Sequence, residues 1–289
     1  MRIMTGRPQL FFGVGTGRCG TMAVSNALSL EQGVVCLHEG KRRFGERPGP
    51  HVLRSLTLEN RIAYEDPSCA AEIVARHRGA MSATATTLGC WCFGDIAYNY
   101  APMLDAIRAR YPYARLLVFV RDGYDFVRAA AAVSGQDAAP VGWAPEGKSL
   151  SAIEQYVSLG RLAPRSSDKL AHAWPTLPFM ARNAWLWAET NRLIFDAIDA
   201  WPEAQRHLIR FEEFFAGLPN SYARLRGFLA LPGQPPAATL SALRARINAR
   251  LSGNMQDWRH WSPEQLETFA QIAGPMMRRL GYELRGHTG

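Results

Sequence analysis

The stretch 9–32, QLFFGVGTGRCGTMAVSNALSLEQ, constrains the fold more than any other part of the chain. The apolar run 9–14 reads as a buried strand that enters a glycine turn. Met22, Ala23, Leu28 and Leu30 then recur at helical spacing. Strand, glycine loop and helix in this order are the setting in which a loop binds an anion. Backbone N–H groups converge there, and the helix presents its positive end to the same point. The triphosphate-binding pattern G-x-x-x-x-G-K-[ST] is nearly met, since Gly15 and Gly20 have its separation. Thr21, however, follows Gly20 directly, the lysine is absent, and Arg18 lies inside the loop. Loss of that lysine weakens the case for a kinase or ATPase, because its charge stabilises the terminal phosphoryl group in transfer. The planar fork of Arg18 suits phosphate or sulfate oxygens. A tight strand–helix turn with a solvated arginine is the plainer alternative.

The rest of the chain repeats the alternation. Strands are expected at 33–39, at 114–120 (ARLLVFV) and at 206–214. Helices are expected at 21–32, 69–79, 101–112, from Tyr124 onward and at 179–202, and the remainder after 214 reads as mostly helical. Residues 40–60, rich in Gly, Pro and Arg, read as loop. ARLLVFV is a continuous aliphatic run, the pattern of a parallel strand buried on both faces. These features predict an α/β fold: a P-loop-like, three-layer arrangement with a central parallel sheet flanked by helices. With no linker evident, residues 1–289 are expected to form a single domain, with 134–178 as an irregular or helical cap insert on the acceptor side.

Composition narrows the function. The net charge of +8 suits an anionic ligand, yet Lys41-Arg42-Arg43 is the one tight basic cluster, so no nucleic-acid partner is expected. No apolar run approaches the ~18 residues of a membrane span, so no stable membrane insertion is expected. The first residues make a poor secretory signal, because cleavage would remove the first strand. Cys19, Cys36, Cys69, Cys90 and Cys92 are odd in number and lack C-x-x-C spacing. They predict reduced thiols in a cytoplasmic protein. No metal-ligand cluster is evident.

A second feature sits at the end of the strand 114–120, where Arg121-Asp122 follow abruptly. Ligands of open α/β sheets lie beyond the carboxyl ends of strands, the edge shared by Arg121 and the glycine loop. Together, GVGTGRCGT and PYARLLVFVRDGYDFVRAA resemble the 5′-phosphosulfate loop and the 3′-phosphate motif of sulfotransferases that use 3′-phosphoadenosine 5′-phosphosulfate (PAPS). HLIRFEEF resembles the family's aromatic-Glu-Asp-Leu strand end. GNMQDWRHWSPEQLETF and MMRRLGYEL resemble its closing loop and its Leu-Gly-Tyr ending in bacterial members. The matches follow the family's order from residue 10 to 284.

The resemblance implies a PAPS-dependent transferase that releases PAP (3′-phosphoadenosine 5′-phosphate), requires no metal, and sulfates a hydroxyl of a carbohydrate, lipid or small natural product. Thr16, Gly17, Arg18, Cys19, Gly20 and Thr21 would surround the phosphosulfate. Arg121 would contact the 3′-phosphate, Phe211 would bound the adenine, and Gly253 would belong to the last donor loop. Three positions depart from the family pattern: Gly123 in place of Pro, Ala129 in place of Ser, and Ser252 in place of Lys. Arg128 or Arg250 are candidate substitutes for the weakened 3′-phosphate grip.

In-line sulfuryl transfer needs alignment, charge stabilisation and a base. The base is expected at the end of the second strand, where Glu39 is preferred and His38 stands second. Asp95 is read either as a helix cap or as a hydrogen-bond partner of the acceptor. Lys41, with Arg42 and Arg43, is read as a guide for an anionic acceptor or as a solvated loop. Trp143, Tyr156 and Trp174 suit stacking on an acceptor or packing of the cap. The competing functions are a divergent P-loop phosphotransferase and a catalytically inactive nucleotide- or polyanion-binding protein. The acceptor and the oligomeric state are not legible in the sequence.

Overall fold

The computed structural model describes residues 7–44, 47–133, 143, 159–245 and 257–286. Seven strands form one sheet: β1 Gln9–Gly15, β2 Val34–His38, β3 Lys41–Phe44, β4 Arg47–His51, β5 Cys92–Ile96, β6 Arg115–Val120 and β7 Arg206–Arg210. Their spatial order is β4-β3-β2-β5-β1-β6-β7. The five strands β2, β5, β1, β6 and β7 are parallel, and β3 and β4 add an antiparallel hairpin at one edge.

The period-2 geometry of strands explains why β1 and β6 read as unbroken apolar runs. Leu10, Phe12 and Val14 of β1, with Leu116, Val118 and Val120 of β6, face one core, and Phe11, Leu117 and Phe119 face the other. The first core is closed by the helices Phe179–Ile198 and Pro263–Arg279, which contribute Trp187, Ile194, Phe269 and Met277. The second is closed by the helices Thr21–Leu28, Asn220–Phe228 and Ala237–Arg244, through Val24, Leu225 and Leu243. Each fully buried Phe or Val of this kind stabilises the fold by about 1.5–3 kcal/mol. The expected three-layer α/β architecture is therefore the observed one.

Three local expectations are corrected. Residues 40–60 are not simply loop: β3 and β4 occupy much of the stretch, and a helix begins at Thr57. Pro48 and Pro50 fall on β4, an edge strand, which is the setting in which sheets admit proline. The strand expected over 206–214 stops at Arg210, and Phe211–Ala216 is a helix with Glu212 and Glu213 in its first turn, where acidic side chains favour the positive helix end. The segment around Asp95, for which no strand is expected, is a central strand, β5. Most of the expected insert, 134–142 and 144–158, lies outside the described residues.

From β1 the chain crosses to β2 on one side of the sheet, while β6 and β7 build outward on the other. The carboxyl end of β1 thus sits at the switch in strand order, where open α/β sheets form their crevice. Residues following β1, β2, β5, β6 and β7 all emerge at this one edge.

Candidate functional site

The loop after β1 takes its shape from three residues in the left-handed region: Gly17 (φ 75°), Arg18 (φ 56°) and Gly20 (φ 84°). Successive left-handed turns of this kind point backbone N–H groups into a shared concavity, a ready anion cradle. Thr21 then opens the helix Thr21–Leu28, whose cap residue Gly20 offers no side-chain acceptor to the first-turn N–H groups. A Cβ placed on Gly17 would meet nothing within 4 Å, so the cradle is open on that side. A Cβ on Gly20 would lie 2.7 Å from the Phe215 ring, so this position has neither the φ nor the room for a side chain. Cys19 turns its thiol into the core at 1% exposure, and burial pushes its pKa up to about 11. At neutral pH it can offer the cradle its backbone but not a thiolate.

Arg121 reaches this loop from the end of β6. Its Nη1 donates to the Arg18 carbonyl at 2.7 Å, and its guanidinium lies 4.2 Å from the centroid of Phe211. Phe211 is half-buried just beyond β7, with its ring 4.8 Å from that of Phe215. The Nε atoms of Arg18 and Arg121 are buried without a hydrogen-bond partner among the described residues. Burial holds the Arg18 guanidinium below its ordinary pKa, and the charges of Arg121 and Arg161 depress it further. Burial likewise lowers Arg121. Cations gathered against their own repulsion, with donors left unmet, are arranged for an anion.

Arg161 was not singled out from the sequence, because it lies in a segment with no periodicity or motif. The fold carries it to the site through the helix Thr57–Glu65, where Asn60 Nδ2 donates to the Gly160 carbonyl at 2.9 Å and Arg61 Nη1 to the Arg161 carbonyl at 3.2 Å. Arg161 lines a small cavity with Thr16, Asn60, Tyr98, Leu162 and Thr190. Burial lowers its pKa, and the nearby Tyr98 and Glu39 oppose that shift. Arg161 is thus coupled by charge both to Arg18 of the loop and to Glu39 just after β2.

On the β2 side, His38 is buried (7% exposed), and its Nε2 lies 3.3 Å from Thr21 Oγ1, beneath the loop. Glu39 is exposed and has a left-handed backbone, φ 54°. Lys41 pairs with His38 in the β2–β3 register and is half-buried. Asp95 corrects an expectation. It neither caps a helix nor presents an oxygen to an acceptor, because it is fully buried, with Oδ1 on the Gly40 N–H and Oδ2 on Tyr100 and Arg78.

Trp143 and Trp174 pack edge to face at 5.3 Å, and Trp174 meets Trp185 at 5.1 Å, so both belong to the packing of the first core; Tyr156 lies outside the described residues. Arg128, a candidate substitute at the 3′-phosphate, is engaged with Asp257 at 3.1 Å and Asp125 at 3.8 Å. Gly253, Ser252 and Arg250 lie outside the described residues.

Asp122, which follows Arg121, caps the helix Gly123–Val133 by accepting from Tyr124 and Asp125 N–H, and it pairs with Arg285 at 2.8 Å. Among the described residues no three His, Cys, Asp or Glu side chains gather to hold a metal, and no helix is long and apolar enough to cross a membrane.

No family model and no curated protein matches the chain by sequence. Solved structures match over nearly its whole length. The sulfotransferase domain from the curacin biosynthetic pathway superposes with a TM-score of 0.55 at 13% identity, covering 96% of this chain and 99% of that one. A sulfotransferase from Mycobacterium avium superposes with a TM-score of 0.54 at 10% identity, covering 98% of this chain and 79% of that one. At such identities the likeness is one of fold.

Proposed function

We propose that this chain, which has the fold of sulfotransferases, transfers a sulfuryl group from PAPS to the hydroxyl of an acceptor. The observation that carries the reading is the pair of buried, unmet guanidinium nitrogens of Arg18 and Arg121 around a left-handed glycine loop, with the Phe211 ring against Arg121. A donor with two phosphate-type anions and an adenine ring suits this set of two buried cations and one aromatic ring. Bound there, PAPS supplies a sulfuryl group activated by its phosphosulfate anhydride.

The chain's own residues divide the remaining work. Backbone N–H groups of Gly17, Cys19 and Gly20, the Thr16 and Thr21 hydroxyls and Arg18 cradle the phosphosulfate end. Arg121 holds the 3′-phosphate, and Phe211 bounds the adenine. Gly253 belongs to the same donor site by resemblance. Each charge-assisted hydrogen bond from a buried arginine is worth about 1.5–3 kcal/mol. Glu39 takes the acceptor proton, for which its exposed carboxylate at the carboxyl end of β2 is suited. His38, turned beneath the loop onto Thr21, orients the cradle instead. Arg161, which lines the small cavity with Thr16, and Lys41 would meet the acceptor, and the free thiols, four of the five buried, fit a cytoplasmic protein.

The test is calorimetric titration with PAP and, separately, with ATP and magnesium. PAP is expected to bind and to stabilise the fold by about 2.7 kcal/mol at a hundredfold excess over Kd. Arg121→Ala should weaken PAP by about 10- to 100-fold, the equivalent of one charge-assisted contact. Binding of ATP with magnesium but not of PAP would overturn the reading in favour of a phosphotransferase. Transfer of labelled sulfate from PAPS to a panel of hydroxyl acceptors, with Glu39→Gln as the control, then tests the chemistry.

A further inference from the structure

Glu39 occupies a backbone conformation that a residue with a side chain rarely adopts. Its φ of 54° is followed by 75° at Gly40, so the chain leaves β2 through two consecutive left-handed residues. Such a turn persists only where its surroundings over-determine it. Here three restraints act on it. The Glu39 N–H donates to the Ile96 carbonyl at 3.1 Å, which extends the β2–β5 ladder by one step. The Gly40 carbonyl accepts from Val52 at 2.9 Å and from Leu53 at 3.0 Å. The Gly40 N–H donates to Asp95 Oδ1 at 2.9 Å, the one restraint of the three supplied by a side chain.

We propose that Asp95 is a positioning residue for Glu39: by accepting the Gly40 N–H from within β5, it fixes the turn that carries Glu39 at the carboxyl edge of the sheet. The assignment rests on the reading of Glu39 as the base. β5 lies between β2 and β1 in the sheet, so a bond from β5 to the turn after β2 ties that turn to the strand bearing the loop. In register, Asp95 sits beside Leu37 and opposite Phe12, two residues before Glu39 and four before Thr16.

A carboxylate in the middle of a central strand is a costly choice unless its partners are complete. They are complete here. Oδ2 accepts from Tyr100 Oη at 2.5 Å and from Arg78 Nη2 at 3.2 Å, and Arg78 Nε donates to Tyr100 Oη at 2.5 Å. Arg78 Nη1 also donates to the Arg54 carbonyl at 2.9 Å, in the segment that follows β4. All three side chains are buried to 1% exposure or less. Tyr100 and Arg78 hold Asp95, and Asp95 holds the turn. Neither Oδ1 nor any other atom of this cluster is presented to an acceptor, which separates the role from substrate binding.

The experiment compares wild type, Asp95→Ala, Asp95→Asn, Tyr100→Phe and Glu39→Gln in labelled sulfate transfer, with PAP affinity measured alongside. Asp95→Ala should lower kcat by about 10- to 100-fold, the scale of a misaligned catalytic group, with PAP affinity within about twofold of wild type. Asp95→Asn retains an oxygen for the Gly40 N–H and should recover most of the lost kcat. Tyr100→Phe, the milder variant should Asp95→Ala fail to fold, is expected to reduce kcat by about three- to tenfold without changing the donor KM.

Unchanged kcat in a folded Asp95→Ala, or in Tyr100→Phe where Asp95→Ala does not fold, overturns the assignment. An equal loss of kcat and PAP affinity, the mark of a general structural defect, also overturns it. A wild-type chain without transfer, or full transfer by Glu39→Gln, overturns the base reading and the Asp95 assignment with it. An inactive Glu39→Gln beside a fully active Asp95→Ala overturns the Asp95 assignment alone.

Discussion

At Ala129 a single missing hydroxyl distinguishes this chain from the sulfotransferase pattern it resembles. The residue stands half-buried on the helix Gly123–Val133, eight residues after Arg121. Arg128, beside it, is already paired with Asp257 and Asp125, so the helix offers the 3′-phosphate no unengaged cation there. Ala129→Ser should therefore tighten PAP binding. A net gain of about 1 kcal/mol for one hydrogen bond corresponds to about fivefold in Kd. Adenosine 5′-phosphosulfate, which lacks the 3′-phosphate, should show no gain, and parallel calorimetric titrations of the two ligands would check both halves. Arg18 belongs to the same scale with the opposite bias. Burial and two neighbouring arginines disfavour its charge, so Arg18→Gln should leave the ligand-free melting temperature equal or higher while reducing the increment that PAP adds.

Among the elements, the helix start after β6 explains a second departure, Gly123 in the place of the family's proline. A Cβ at Gly123 would lie 2.9 Å from Phe269 Cζ and 3.0 Å from Met277 Sδ, both on the helix Pro263–Arg279, and 3.3 Å from Trp187. A side chain at this position would have to displace these side chains, which are themselves packed in the first core. Gly123→Pro, although it restores the usual residue, should destabilise the fold by about 1–3 kcal/mol through overpacking, as measured by denaturant unfolding. Element boundaries were legible where one physical signal dominated. The aliphatic runs of β1 and β6 read directly from the sequence. β5 did not, because Gly94 and Asp95 interrupt its pattern. Gly94 is required there by the Phe11 ring, which would lie 2.3 Å from its Cβ, and Asp95 is stabilised by partners on other elements. The edge hairpin β3–β4 was hidden by its own Gly and Pro content, which an edge strand tolerates.

On the scale of the whole molecule, the segment through Tyr282 and Arg285 is bound to the carboxyl edge of the sheet. Tyr282 Oη donates to Glu212 Oε2 at 3.0 Å, Glu212 Oε1 accepts the Asp122 N–H at 2.9 Å, and Arg285 pairs with Asp122 Oδ2 at 2.8 Å. Burial holds the Asp122 carboxyl above its ordinary pKa, and the Arg285 charge opposes that rise. The native state thus keeps this proton more tightly than the unfolded chain does. The corresponding stability is full below the ordinary carboxylate pKa and is lost as pH rises through the raised one. Arg285→Ala removes the opposing charge, so its loss of stability should be larger at about pH 7 than at about pH 4, read from denaturant unfolding at both.

The α/β class, a strand–loop–helix over residues 9–32 (its helix ending at Leu28 in the structure) and the shared edge of that loop and Arg121 are legible from local periodicity and strand ends alone. Which further side chains join them depends on long-range packing. Arg161 arrives from a segment without any pattern, His38 turns under the loop to Thr21, and Asp95 turns inward to Gly40. Contacts of that kind depend on strand register and helix packing across long separations, which no local signal encodes.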